Sequence, residues 1–213
     1  MRYFNLDESL KLYLVTDATW LHGRTLNKVV EEAIKNGVTC VQLREKKLST
    51  EDFYNEAQII KELCGIYRVP FIINDNLDVA LKCDADGLHI GQEDGPIGDI
   101  RKKWKDRILG VSVQTLEQAK EAEKQGADYL GVGAIFKTGT KNDALDVNID
   151  ILREICQNIA LPIVAIGGIQ KENLLKLDNT GISGIAVVSA ILAADDIGKA
   201  SRDLKDIVEK VVK

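Results

Sequence analysis

The chain is predicted to fold as a single (β/α)8 barrel of the TIM-barrel class, spanning residues 1–213. Three observations predict it. Eight short apolar runs recur along the 213 residues, most of them four to seven residues long. They are nearly continuous in apolar residues rather than alternating, as expected of parallel strands buried on both faces. Each run is followed by a helical pattern or a helical turn, and no linker, low-complexity segment or repeat marks a second domain. An open sheet fits this order less well than a closed barrel does. The length is short for such a barrel, so its loops must be economical.

The first strand is KLYLVT (11–16). Leu26, Val29, Val30, Ala33 and Ile34 then recur at helical spacing, and Asn36-Gly37 supplies a C-cap. VTCVQLR (38–44) is the second strand, followed by a helix with Phe53, Ala57, Ile60, Cys64 and Tyr67 on one face. PFIIN (70–74), GLHI (87–90) and ILGVS (108–112) are the next three strands. Thr115 with Gln118 opens the following helix as a capping box, and that helix runs to Gly126. DYLGVG (128–133) is the sixth strand, followed by an apolar stripe of Ile149, Leu152 and Ile155. PIVAIG (162–167) and GIAVVS (184–189) complete the set, and the last helix carries Ile197, Leu204, Ile207, Val208 and Val211.

The hydrophobic fraction of 45% permits a substantial core. A net charge of −5 argues against general affinity for nucleic acid or anionic membranes, because counterion release needs a basic patch. It leaves room for a small anionic substrate, which a few local cations can hold. No apolar run approaches the roughly 18 residues that span a bilayer. The acidic residues near the N-terminus are unlike a signal peptide. Cys40, Cys64, Cys83 and Cys156 lie far apart without a C-x-x-C pair, so they are expected as reduced, buried thiols rather than disulfides or a zinc site. A cytoplasmic protein is expected.

In this fold the C-terminal strand ends carry the active site. Strand by strand those ends offer Thr16 and Asp17; Gln42, Arg44, Glu45 and Lys46; Asn74, Asp75 and Asn76; His89, Gln92, Glu93 and Asp94; Ser112 and Gln114; Thr138, Thr140 and Lys141; Gly167 and Gly168; and Ser189. Taken singly, each has an ordinary reading. IIND is also a strand leading into an Asn or Asp helix cap, GQEDG a solvated turn, and Thr138-Gly139-Thr140-Lys141 a surface turn. A barrel brings all of them to one mouth, whereas independent surface decoration would scatter them over both ends.

Asp75 and Asp94 follow consecutive strands, so both carboxylates can reach one hard cation. Two acids without a His or Cys companion favour Mg2+ over Zn2+. His89 is read as a core or supporting imidazole rather than a ligand. Arg44, Lys46 and Lys141 add cations from two loops, and this much positive charge suits a diphosphate, a good leaving group once neutralised. The glycines of AIGGI and the Val188 and Ser189 N–H groups at the start of a helix form a second anion site, where such barrels commonly bind phosphate.

These residues resemble the thiamine phosphate synthase family. The matching segments are VQLREK, FIINDNLDVA, DGLHIGQED, GVSVQT, ADYLGVGAIFKTGTKND, LPIVAIGGI and AVVSAI, in order over almost the whole chain. The resemblance implies condensation of a hydroxymethylpyrimidine diphosphate with a thiazole phosphate, or its carboxylated form, releasing diphosphate. It implies that Gln42, Leu43, Arg44, Glu45, Lys46 and Asn74 hold the pyrimidine diphosphate, that Ser112 and Lys141 contact its diphosphate, and that Asp75 and Asp94 bind Mg2+. Thr138, Gly139 and Thr140 would meet the thiazole phosphate, with Gly168, Val188 and Ser189 completing its cradle. Catalytic work would fall to Arg44, Lys46, Ser112 and Lys141. The chain departs from the family's frequent proline at Lys137 and from a histidine near Gln114. A related thiazole tautomerase uses a histidine in that region, so its absence argues against tautomerase activity.

The implied mechanism is dissociative: diphosphate leaves, the aminopyrimidine stabilises a CH2 cation, and the thiazole nitrogen attacks it. Such a step needs orientation and charge stabilisation more than a protein base. The alternatives are a tautomerase or another phosphate-handling barrel, such as a sugar-phosphate isomerase, and a non-catalytic protein that binds thiamine precursors. Fold alone does not separate these.

Overall fold

The structure is a computed structural model that describes residues 4–137 and 147–212. Eight strands form a closed parallel barrel in chain order: β1 Leu12–Val15, β2 Cys40–Leu43, β3 Phe71–Asn74, β4 Gly87–Ile90, β5 Ile108–Val113, β6 Tyr129–Val132, β7 Ile163–Ile166 and β8 Gly184–Val187. β8 closes onto β1 through the pairs Leu12↔Ile185, Tyr13↔Ala186 and Leu14↔Val187. Most strands are shorter at their ends than the apolar runs predict, because those runs continue into loops that are buried without being paired.

Around the barrel lie α1 Leu6–Ser9, α2 Leu26–Lys35, α3 Thr50–Tyr67, α4 Leu77–Lys82, α5 Ile97–Trp104, α6 Leu116–Lys124, α7 Ile149–Asn158, α8 Ser189–Leu192 and α9 Ile197–Val211. β7 is followed by a 3-10 turn, Leu174–Leu177, rather than an α-helix. The apolar stripe foreseen for α2 is buried in full: Leu26, Val29, Val30, Ala33 and Ile34. On α3 the buried face is Phe53, Ala57, Ile60 and Cys64, while Tyr67 is only half-buried and donates to Glu31 Oε1 at 2.7 Å. Thr115 caps α6 as expected, accepting from Gln118 N, but the reciprocal bond from Gln118 Oε1 goes to Gln114 N rather than to the capping residue. α1, α4 and α5 are too short to announce themselves by periodicity.

Strand alternation sorts the side chains into two layers. Leu12, Leu14, Val41, Leu43, Phe71, Ile73, Leu88, Ile90, Leu109, Val111, Leu130, Val132, Ile163, Ala165, Ile185 and Val187 face the helices and form the larger core. Tyr13, Val15, Cys40, Ile72, Tyr129, Val164 and Ala186 fill the barrel interior, where Leu10 and Leu6 also pack. The interior is crowded at Gly110, where an added Cβ would lie 2.1 Å from Tyr129 Cζ. A side chain there would displace the tyrosine. The four cysteines are free, three of them buried and Cys156 half-buried, and no helix among the described residues is long and apolar enough to cross a membrane.

Candidate active site

Contacts between neighbouring strand ends join most of the expected polar residues at one mouth. After β1, Asp17 receives Arg44 Nη1 from the β2 loop at 2.9 Å, and Thr16 Oγ1 receives Arg44 N at 3.0 Å. Arg44 is thus aimed by its backbone and its guanidinium together. Lys46 reaches from the same loop to Asp75 Oδ2 at 2.5 Å, beyond β3. Lys46 is 54% exposed against 28% for Asp75, so water screens the pair and the lysine is free to exchange partners.

The IIND question is resolved by division of labour. Asn76 caps α4 by accepting from Val79 N at 2.9 Å, which leaves Asn74 and Asp75 to face the mouth. Asp75 has φ +60°, the left-handed region, and its N–H is pinned to the His89 carbonyl of β4 at 2.8 Å. Asp94 accepts from Gly91 N at 2.6 Å, and its carboxyl shares a hydrogen bond with that of Asp75. Burial and the charge of Asp75 push Asp94 up from its ordinary range, despite the Gly91 N–H. For Asp75, burial acts upward too, but the Lys46 ammonium and the bond to Asp94 hold it below the ordinary value. Opposite shifts in adjoining acids are the signature of two carboxylates sharing one proton in place of a cation.

Among the described residues no group of three or more His, Cys, Asp and Glu side chains is placed to hold a metal ion. The pair fits a hard cation that completes its shell with water and substrate oxygens, the usual habit of Mg2+. Two adjoining clefts open here. One of about 380 Å3 is lined by Glu45, Lys46, Phe53, Asn74 and Asp75, and one of about 270 Å3 by Asp75, Ile90, Asp94 and Lys103. Asp75 stands in the wall of both.

Glu45 is half-buried, and its carboxyl is pushed up to about 7 by burial, then by Glu56 of α3 and by Asp17, against the opposing pull of Arg44. Leu43, assigned with its neighbours to the pyrimidine, turns its side chain into the helix-facing core, so only its backbone is open to the mouth. Gln42 points inward and is buried. Ser112 on β5 bonds His89 Nε2 through Oγ at 2.9 Å and accepts from Gln92 Nε2 through its carbonyl at 2.6 Å. His89 is an interior imidazole, 7% exposed, in keeping with the supporting role expected of it.

Beyond β7, Gly167 and Gly168 have φ +98° and +62°. A Cβ on Gly168 would lie 2.4 Å from the Lys137 carbonyl and 2.5 Å from that of Phe136, so only glycine fits where the β7 loop meets the residues following β6. Asn173 Nδ2 donates to the Gly168 carbonyl at 2.9 Å, and Gln170 Nε2 donates to Ser189 Oγ at 3.3 Å, tying the two glycine-side loops together. Val188 is the N-cap of α8 and Ser189 its first residue. Thr138, Gly139, Thr140 and Lys141 lie outside the described residues.

Sequence reasoning gave no role to Asp17 as the partner of Arg44, to Glu56 beside Glu45, to Gln170 beside Ser189, or to Tyr13 and Tyr129 inside the barrel. The tyrosines carried a usable signal: a phenol in a strand buried on both faces needs a hydrogen-bond partner.

The chain matches the family model of thiamine monophosphate synthase over residues 12–191. It is 51% identical to the thiamine-phosphate synthase of Clostridium acetobutylicum over 201 residues, covering 94% of this chain and 95% of the relative. The thiamine-phosphate synthase of Clostridium tetani is 52% identical over 201 residues, with the same coverage of 94% and 95%. Among solved structures, the thiamine phosphate pyrophosphorylase of Pyrococcus furiosus superposes with a TM-score of 0.91 at 41% identity, covering 98% of this chain and 100% of that one.

Proposed function

The chain belongs to the thiamine monophosphate synthase family and is a transferase, and on that premise we propose that it joins a hydroxymethylpyrimidine diphosphate to a thiazole phosphate with Mg2+ held at Asp75 and Asp94. The observation that carries this reading is the Lys46–Asp75–Asp94 cluster, in which two acids share a proton beside an exchangeable ammonium. That arrangement supports a metal–diphosphate complex: once Asp75 carries another cation, Lys46 can turn to a substrate anion. Mg2+, when bound, would neutralise charge on the departing diphosphate.

The protein's own residues have three tasks. Arg44, held by Asp17, and Lys46 place cations beside the leaving group, and the assignment of Lys141 to the same task comes from the family resemblance. Ser112 offers a hydrogen bond to a diphosphate oxygen. Gln42, Glu45 and Asn74 orient the pyrimidine, while Gly168, Val188, Ser189 and the Thr138–Gly139–Thr140 run cradle the thiazole phosphate. The C–O bond to diphosphate breaks with its electron pair staying on oxygen, the aminopyrimidine shares the positive charge at its CH2, and the thiazole nitrogen lone pair forms the new C–N bond. Charge stabilised where it develops, rather than proton removal, accounts for a mouth richer in cations than in bases.

One barrel domain over residues 1–213, working in the cytoplasm on small molecules without nucleic acid or membrane, completes the proposal, and the free cysteines support that compartment. The test mixes both substrates with the purified protein, with Mg2+ and with chelator, and measures thiamine phosphate and diphosphate together. One-to-one formation that stops with chelation is expected. Failure to form thiamine phosphate with Mg2+ present would refute the reading.

A further inference from the structure

Below the mouth, five side chains form one line across the barrel interior. Gln42 Nε2 donates to Tyr13 Oη at 2.7 Å, and Tyr13 Oη meets Tyr129 Oη at 2.8 Å. Tyr129 Oη meets His89 Nδ1 at 2.8 Å, and His89 Nε2 meets Ser112 Oγ at 2.9 Å. The two phenols are 1% and 0% exposed, Gln42 4% and His89 7%. Burial pushes both phenols well above the ordinary tyrosine range, so each carries its proton. Every hydroxyl in the line therefore has a single hydrogen to give.

That restriction sets a direction. An amide nitrogen can only donate, so Tyr13 receives from Gln42 and passes its own hydrogen to Tyr129. Tyr129 passes its hydrogen to His89 Nδ1, which must then be the unprotonated ring nitrogen. The imidazole proton is left on Nε2 and is given to Ser112 Oγ. The hydrogen of Ser112 has no place in the line and points away from it.

We infer that this relay makes Ser112 a dedicated hydrogen-bond donor toward the mouth, with His89 as the positioning residue that enforces it. The identity of the acceptor, a diphosphate oxygen, rests on the proposed function; the direction of the relay does not. The reverse order would have opposite chemistry. With Nδ1 protonated, His89 Nε2 would take the Ser112 hydrogen and act as a base, leaving Oγ a nucleophile as in hydroxyl-dependent acyl transfer. Thus the tautomer of one buried imidazole separates an anion-binding serine from a nucleophilic one.

The chain has two histidines, His22 and His89, so a His22→Asn background leaves one imidazole for nitrogen NMR of histidine-labelled protein. A protonated Nε2 and an unprotonated Nδ1 are expected, and Tyr129→Phe should move the Nδ1 resonance as its donor is lost. A proton on Nδ1, or an Nδ1 signal indifferent to Tyr129→Phe, would overturn the inference. In turnover, His89→Gln keeps an N–H near the Nε2 position and should stay within about tenfold of the parent. His89→Leu should lose about a hundredfold in kcat, the scale of a lost transition-state donor, with KM values nearly unchanged. Equal losses in the two variants would count against the relay. The spectra of the parent and Tyr129→Phe proteins need neither substrate nor turnover, so they decide the relay even if His89→Leu does not fold or the assigned reaction is wrong.

Discussion

Replacing Glu45 by glutamine should make the protein less sensitive to alkaline pH, by an amount the structure sets. The Glu45 carboxyl is held at about 7 in the fold, chiefly by burial and then by Glu56, against an ordinary 4.5. Between those values the folded protein binds a proton that the unfolded chain has lost. Stability therefore falls as pH rises through this window, because the unfolded state binds fewer protons than the native one. At 1.36 kcal/mol per pH unit the full gap corresponds to about 3.4 kcal/mol. Glu45 is only half-buried, and screening by water reduces the expected effect to about 1–2 kcal/mol. The neutral amide of the Glu45→Gln variant would mimic the protonated acid at every pH. Urea unfolding of both proteins from pH 5 to 8.5 provides the assay, with the linear extrapolation carried out at each pH. The two should have similar stability at pH 5 and separate in favour of Glu45→Gln above pH 7. A difference that is constant with pH, or that grows in favour of the parent, would refute the electrostatic account of the Glu45–Glu56 pair.

Asp75→Asn and Asp94→Asn should each lower turnover at least about a hundredfold, roughly 3 kcal/mol of transition-state stabilisation, while circular dichroism and melting stay near those of the parent; near-normal rates in Mg2+ would remove the metal assignment. Lys46→Ala and Lys141→Ala should mainly impair use of the pyrimidine diphosphate through lost charge-assisted hydrogen bonds, whereas Ser189→Ala should be milder because that cradle offers mostly backbone N–H groups. A Ser189→Ala loss in diphosphate release greater than that of Lys141→Ala would reverse the assignment of the two anion sites. Replacing the pyrimidine methyl by CF3 should lower single-turnover rates by several orders of magnitude with affinity held within about tenfold, because only the transition state carries charge at the CH2; equal rates would exclude the cation.

Barrel class, helix faces and the charged rim were legible because they depend on local spacing. The α2 stripe at Leu26, Val29, Val30, Ala33 and Ile34 needs no distant partner to be recognised, only a period near 3.6, and it is buried as read. The rim was legible because strand ends in a barrel share one face whatever the details of pairing. Asp75 and Asp94 could therefore be placed together from their order alone, and the structure joins their carboxyls.

What the chain could not announce is the inward or outward phase of its strands. In VTCVQLR both faces of the strand are buried, so hydrophobicity does not say whether Gln42 or Leu43 looks inward. Barrel closure decides it, turning Gln42 toward Tyr13 and Leu43 toward the helices. The same closure brings Tyr13 against Tyr129, 116 residues away, and Arg44 against Asp17, 27 residues away. Side-chain periodicity is a property of each segment and is written in the sequence. Which polar groups meet depends on register and on the ring closing from β8 to β1, and those exist only when all eight strands are in place.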